Sequence, residues 1–274
     1  MSYNITVEGG TSIRLPTAGK YCDRDIIITA TGSSVAPEDL NAVLTEQENL
    51  IEELKTTLQG KASGGGVVEP DYRDIYQRVE YITSAEENTY PYFITDFIAD
   101  NSSGLEIVAS FPTMEDRIPM GSRVDNGANR FYCVYPLSAS TCYFGFNTGT
   151  SISCALSLDT AYRLQTNFLN SRLVNIYDMN GIRKDGTTIS ATLVQQTCPV
   201  AIFGYYRSDT DAITSKREYK LYSARCSRGH EVVREYIPCY RKSDGVIGLF
   251  EKFTGDFLTA ADGGKFAKGA DIEW

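Results

Sequence analysis

The residues best equipped for chemistry lie in one stretch, Tyr205-Tyr206-Arg207-Ser208-Asp209-Thr210-Asp211, at the end of the apolar run 200–203. Aromatic rings stack on the C–H faces of sugars, and planar polar groups bond paired hydroxyls. Tyr205, Tyr206, Arg207, Asp209 and Asp211 together therefore suit a carbohydrate beside a loop. Alternation along a strand sends Tyr205 and Tyr206 to opposite faces, so one is expected to meet a ligand while the other packs inward. Asp209 and Asp211 also offer alternate oxygens of the kind a hard cation such as calcium takes. A solvated acidic loop is the commoner arrangement, and no metal is assigned to the pair.

Other chemistry finds less support. Glycoside hydrolysis needs an acid and a nucleophile or base. Asp271-Ile272-Glu273 would put two carboxylates on one strand face, but Gly269 stands where a third acid would be wanted. Glu86, Glu87, Asp96 and Asp100 are spread over a loop-like stretch without a pairing. The single histidine, His230, sits beside Arg228 and Gly229 in an apparent turn. It rules out zinc sites built on several histidines and is expected to be structural or exposed. Seven cysteines, at 22, 133, 142, 154, 198, 226 and 239, form no C-x-x-C pair and read as reduced, mostly buried thiols. Gly64-Gly65-Gly66 opens no helix and precedes no Lys-Ser/Thr, so it is not a phosphate loop. The chain is expected to be a binder and not an enzyme, with no cofactor.

The elements that must position these residues are strands. From about 81 to 266, short apolar-polar runs recur between turn signals, which predicts an all-β sandwich over a head of 71–274. Strands are expected at 105–111, 130–135, 142–146, 151–156, 162–168, 172–177, 188–193, 200–205, 218–223, 232–237 and 246–250, with a short helix within 71–79. Asn180-Gly181 suits a type I′ hairpin, because both central residues must accept positive φ, and Asp185-Gly186 reads as another turn. Tyrosine and phenylalanine, at 18 and 12 residues against one tryptophan, suit broad sheet faces.

Upstream the organisation changes. Residues 1–34 alternate at 3–7 and 12–15 and run apolar at 25–30, a small all-β unit too short to fold alone without a partner or symmetry mates. Residues 37–59 carry the sustained helical repeat, with Leu40, Leu44, Gln47, Ile51, Leu54 and Leu58 at a and d positions of a parallel coiled coil. Val43 and Leu50 at g positions widen the stripe, which favours a trimer over a dimer, and Gln47 suits a register-setting polar layer. Pro37, Glu38 and Asp39 fit a first helical turn and Gly60 a C′ position. At about 33 Å long, the helix would be marginal alone; the alternative is an amphipathic helix lying on a globular domain. Residues 60–70 follow as a Gly-rich linker.

A net charge of −9 argues against nucleic acid or an anionic membrane as the main partner, leaving neutral glycans and basic protein surfaces. No window supplies the ~18 consecutive apolar residues of a membrane helix. The N-terminus lacks the charged and apolar regions of a signal peptide, so a soluble protein that is not exported is expected.

Two stretches carry family resemblances. Arg14-Leu15-Pro16-Thr17-Ala18-Gly19-Lys20-Tyr21-Cys22-Asp23-Arg24-Asp25-Ile26-Ile27-Ile28-Thr29-Ala30 resembles a segment near the N-termini of tail-associated proteins of phages and prophages of gut bacteria. It implies attachment to a phage tail or baseplate protein through 1–34. Arg217-Glu218-Tyr219-Lys220-Leu221-Tyr222, the run 232–251, Asp256-Phe257 and Gly264-Lys265-Phe266 are similar to the end of laminin-G/concanavalin-like heads in phage tail proteins. Those heads are jelly-roll sandwiches, many taken to bind glycans. Glu80-Tyr81-Ile82 and Met120-Gly121-Ser122-Arg123 fit that pattern loosely, while the sequence between them departs from it. Together the resemblances imply a homotrimeric tail-tip or tail-fibre protein, assembled in the host cytoplasm into the virion, whose head recognises a bacterial surface glycan. A purely structural tail component and a polysaccharide depolymerase are the alternatives.

Overall fold

The computed structural model describes residues 71–84, 90–115, 118–125 and 129–274, together with the backbone of two short strands nearer the N-terminus. The chain divides into two units, Met1–Glu69 and Pro70–Trp274. In the first, Ser12–Arg14 pairs antiparallel with Ile27–Thr29, Ile13 opposite Ile28, where alternation and a β-branched run pointed to strands. The stalk with Leu40, Leu44, Gln47, Ile51, Leu54 and Leu58, the linker, the strand expected at 3–7, and Cys22 lie outside the described residues.

The second unit is mainly β, as its alternation demands. Phe93–Ile98 shows the rule: Phe93, Thr95 and Phe97 are buried while Ile94, Asp96 and Ile98 are exposed. The larger sheet runs, in spatial order, Arg183–Thr188, Leu173–Asp178, Tyr162–Thr166, Ser103–Ser110, Lys220–Arg228, Glu231–Arg241, Ile247–Glu251 and Phe257–Leu258, with every neighbouring pair antiparallel. In the smaller sheet, Met120–Arg123 pairs parallel with Gly204–Arg207 and antiparallel with Pro199–Ile202 and Arg130–Ser138. Ala212–Thr214 flanks Gly204–Arg207, Phe93–Ile98 flanks Pro199–Ile202, and Thr141–Ser153 flanks Arg130–Ser138. Leu105, Ile107, Leu164 and Ile176 of the larger sheet share one buried core with Met120, Phe131, Phe146 and Ile202 of the smaller.

Several expected elements take other forms. The helix expected within 71–79 is limited to Tyr72–Ile75, capped by Asp71, which accepts from the Arg73 amide at 3.0 Å. Tyr76–Arg78 then pairs with Glu231–Arg241, and Tyr72 and Tyr76 stack on Phe250 and Phe257 at 4.9 Å. The strands expected at 142–146 and 151–156 belong to one element, Thr141–Ser153. It folds back at Asn147, whose φ is 64°, since Cys142 Sγ lies 3.7 Å from the Cys154 carbonyl oxygen. In the hairpin after Leu173–Asp178 only Gly181 takes positive φ, at 79°, with its amide donating to Asp178 O at 3.0 Å. This is a three-residue loop with a single left-handed glycine, not a type I′ turn. Asp185-Gly186 is no turn: Gly186 lies within Arg183–Thr188, where a Cβ would overlap the Val174 carbonyl of the next strand. The strand ends at Thr188, and 189–193 is not a strand.

Cys133, Cys142, Cys154, Cys198, Cys226 and Cys239 are buried free thiols, and burial pushes the Cys239 thiol up to about 12. His230 is exposed in the turn after Lys220–Arg228.

Candidate functional site

The site begins at a break in the strand expected over 200–205. Phe203 adopts φ 68° and Gly204 φ 152°, so the chain leaves Pro199–Ile202 and starts afresh as Gly204–Arg207. The Phe203 amide donates to Pro119 O at 2.8 Å, and the Tyr219 hydroxyl donates to the same oxygen at 2.8 Å. This anchor sets the parallel register in which Tyr205 lies opposite Gly121 and Arg207 opposite Arg123. Met120–Arg123 also pairs with Arg130–Ser138, where Gly121 faces Tyr132 and Arg123 faces Arg130. Arg130–Ser138 in turn sets Tyr132 opposite Gly145 and Arg130 opposite Asn147.

Two rows therefore cross the smaller sheet side by side. One reads Tyr205, Gly121, Tyr132, Gly145; the other reads Arg207, Arg123, Arg130, Asn147. Met120, Phe131, Phe144 and Phe146, one residue away along these strands, belong to the main core. The rows must then occupy the opposite, outer face. There Ile118, Tyr132, Tyr135 and Tyr205 form a second buried cluster, with partly exposed Tyr143 against it. The Tyr205 and Tyr132 rings are 4.8 Å apart, and those of Tyr135 and Tyr143 5.5 Å. Glycine at 121 and 145 makes room for Tyr132: a Cβ at either would stand 2.7 or 2.8 Å from its ring. Arg130 donates to the Tyr143 hydroxyl, and a Cβ at Gly149 would overlap that oxygen.

The residues singled out from sequence are divided by this geometry. Tyr205 and Arg207 share the outer face, and Arg207 holds Asp209 in a fork of 3.0 and 2.6 Å. Its hydrogen bonds keep the Asp209 carboxyl below the usual carboxylate range. Tyr206 points the other way, as alternation requires, and its hydroxyl donates to Asp211. That bond raises the Tyr206 phenol above its ordinary value. Tyr205, though on the outer face, is packed into the second cluster and only 7 % exposed, so the five residues do not form one cluster. In this structure the Asp209 carboxylate is held by Arg207 and that of Asp211 by Tyr206. Tyr132, Tyr143, Arg123 and Arg130 complete the face, and sequence reasoning missed them.

The carboxylates considered for hydrolysis stand apart from this face. Asp271 accepts from Lys268 Nζ at 2.5 Å and the Tyr240 hydroxyl at 3.1 Å. The lysine bond holds its carboxyl below the usual range, opposite to the raised value a general acid needs. A cleft of about 600 Å³ beside it is lined by Arg73, Gln77, Lys242, Glu273 and Trp274. Asp96 is forked by Arg234 at 2.9 and 2.6 Å, and Asp100 caps the turn at Ser102 and Ser103. Glu86 and Glu87 lie outside the described residues.

No family model matches the chain, and no curated protein does. Among solved structures, a candidate carbohydrate-binding protein from Bacteroides ovatus ATCC 8483 is similar at a TM-score of 0.43 and 12 % identity. The likeness covers 73 % of this chain and 61 % of that protein, less than two thirds of its length.

Proposed function

We propose that the Pro70–Trp274 unit is a concanavalin-like jelly-roll head that binds a bacterial cell-surface glycan on the outer face of its smaller sheet. In this reading 37–59 trimerises the chain and 1–34 joins it to a phage tail or baseplate protein, making a tail-tip or tail-fibre receptor-binding protein. The observation that carries the binding role is the pair of rows: tyrosine rings laid beside guanidinium groups on a sheet face that the core does not use. Partly exposed Tyr143 offers a ring face to sugar C–H groups, and Arg207 and Arg130 offer planar donors to ring oxygens and hydroxyls. The tail role rests on the resemblance of 14–30 and of the 217–266 region to tail proteins.

The test is binding of the purified chain to an array of bacterial surface polysaccharides. Wild type should bind, and Tyr143→Ala and Arg207→Ala should each lose most of the signal with an unchanged melting temperature. Light scattering should give about three times the 30.3 kDa chain mass. Absence of binding with an intact trimer would favour a structural tail component, and release of reducing sugar would favour a depolymerase. Either result overturns the proposal.

A further inference from the structure

We infer that the outer face of the larger sheet is a second carbohydrate site, independent of the first and suited to a neutral oligosaccharide. Ile107, Leu164 and Ile176 send their side chains into the main core, so the residues beside them along these strands line the opposite face. Register lays that face out in two adjacent rows. One reads Gly186, Asn175, Gln165, Glu106, Arg225; the other reads Arg183, Tyr177, Arg163.

The first row holds a chain of hydrogen bonds that stops short of its end. Arg225 Nε donates to Glu106 Oε1 at 2.7 Å, and Gln165 Nε2 donates to Glu106 Oε2. The Glu106 carboxylate, 1 % exposed, is therefore satisfied, and the Gln165 carbonyl oxygen is left over. Asn175 comes next, 5 % exposed, and its side-chain amide has no hydrogen-bond partner among the described residues. A polar group at that depth is nearly always hydrogen-bonded, so a donor and an acceptor are left here for a ligand to complete. The second row supplies a ring and further donors. Arg163 lies over the half-buried Tyr177 ring, 4.6 Å from its centroid, with its Nε buried and unpartnered. A register shift after Ile176 brings Arg183 opposite Tyr177, and its guanidinium leans over Gly186, where any Cβ would overlap it. Gly186 pairs with Asn175, so this guanidinium lies on the strand beside the free amide.

Donors and acceptors are thus mixed: N–H groups from Arg163 and Arg183, both senses from Asn175, an oxygen from Gln165. Sugar hydroxyls also donate and accept, whereas an oxyanion only accepts and would leave the two amide oxygens without a donor. The open side of the Tyr177 ring takes sugar C–H groups. From the strand of Gly186 to that of Glu106 the face spans about 14 Å, which suits a short oligosaccharide better than a single sugar.

The experiment uses the full-length chain on an array of neutral glucans, mannans and galactans, with uronic-acid polymers as an acidic arm. At least one neutral polymer should bind, with an affinity unchanged between about 50 and about 300 mM NaCl. Asn175→Leu, close in shape, should weaken that binding about tenfold or more. It should melt no lower than wild type, because it removes a buried amide that nothing in the protein satisfies. Tyr177→Ala, at a half-buried position, should weaken binding as well and decides the matter if Asn175→Leu fails to fold. Tyr143→Ala, on the smaller sheet, should leave neutral binding in place. Neutral binding that both Asn175→Leu and Tyr177→Ala retain, or that Tyr143→Ala abolishes, overturns the second site and leaves the smaller sheet's face to its own test. Binding confined to the acidic arm, or to no polymer, overturns it too.

Discussion

Tyr219→Phe removes one hydroxyl at the point where the outer face is set. Tyr219 is 1 % exposed, its ring stacks on Phe203 at 4.2 Å, and burial drives its phenol well above the ordinary value, so it remains a donor at any working pH. The hydroxyl donates to Pro119 O at 2.8 Å and accepts from the Phe203 amide at 3.1 Å. If that amide had no other acceptor, the change would strand a buried donor, at up to about 3 kcal/mol for the orphan alone. It also reaches Pro119 O, at 2.8 Å, so donor and acceptor remain satisfied by each other. The ring stack survives in phenylalanine as well. What remains is the net worth of one good hydrogen bond and one longer one, about 1–2 kcal/mol. For a unit of this size that lowers the melting temperature by about 3–6 °C. Thermal and urea unfolding of wild type and variant measure both quantities. A shift within about 1 °C would show that the hydroxyl does not hold the Phe203 turn, and one beyond about 10 °C would show that the Pro119 bond does not protect the amide.

Gly104→Ala should destabilise the head by more than about 2 kcal/mol in urea, because the new Cβ would overlap the Asn167 carbonyl in backbone that cannot swing aside. Gly229→Ala, in open space at φ 58°, should cost only about 1–2 kcal/mol. Arg234's hydrogen bonds hold the Asp96 carboxyl below its usual range, so its stabilisation is full above the unfolded value and lost as pH falls through the lower folded one. The difference in melting temperature between wild type and Asp96→Asn should therefore be present at pH 7 and close as pH drops below about 4. Cys133, Cys142, Cys154, Cys198, Cys226 and Cys239 should resist a thiol reagent in the native protein and all react after denaturation without reductant; an unreactive pair would mean a disulfide.

How far the fold was legible depended on whether each strand's two faces differed in chemistry. Tyr162–Thr166 was plain, because Tyr162, Leu164 and Thr166 go inward while Arg163 and Gln165 go outward. Phe93–Ile98 alternates as strictly in burial but was hidden, because its outward positions include Ile94 and Ile98, 37 % and 40 % exposed. Met120–Arg123 is buried throughout and holds Gly121 and Ser122, so no hydrophobic period exists to be read. Gly186 looked like a turn because glycine serves both chain reversal and close backbone approach, and only the neighbouring strand decides between them.

The face proposed to bind was half legible for a related reason. Period two along 205–207 was enough to separate Tyr205 and Arg207 from Tyr206, and the structure keeps that division. Nothing local to that segment, however, says which strands lie beside it. The neighbours come from Met120–Arg123, Arg130–Ser138 and Thr141–Ser153, far away in the chain, and the register of Gly204–Arg207 against the first of them follows a turn at Phe203, whose φ is 68°. A phenylalanine seldom does so, and here the Pro119 and Tyr219 contacts hold it there. A one-residue slip in Gly204–Arg207 would bring Tyr206 to the outer face and turn Arg207 away, dissolving both rows. The arginine row is thus a property of lateral register. For the same reason the charge of the whole chain, −9, which left neutral glycans and basic protein surfaces open, said nothing of three guanidinium-bearing strands meeting on one face.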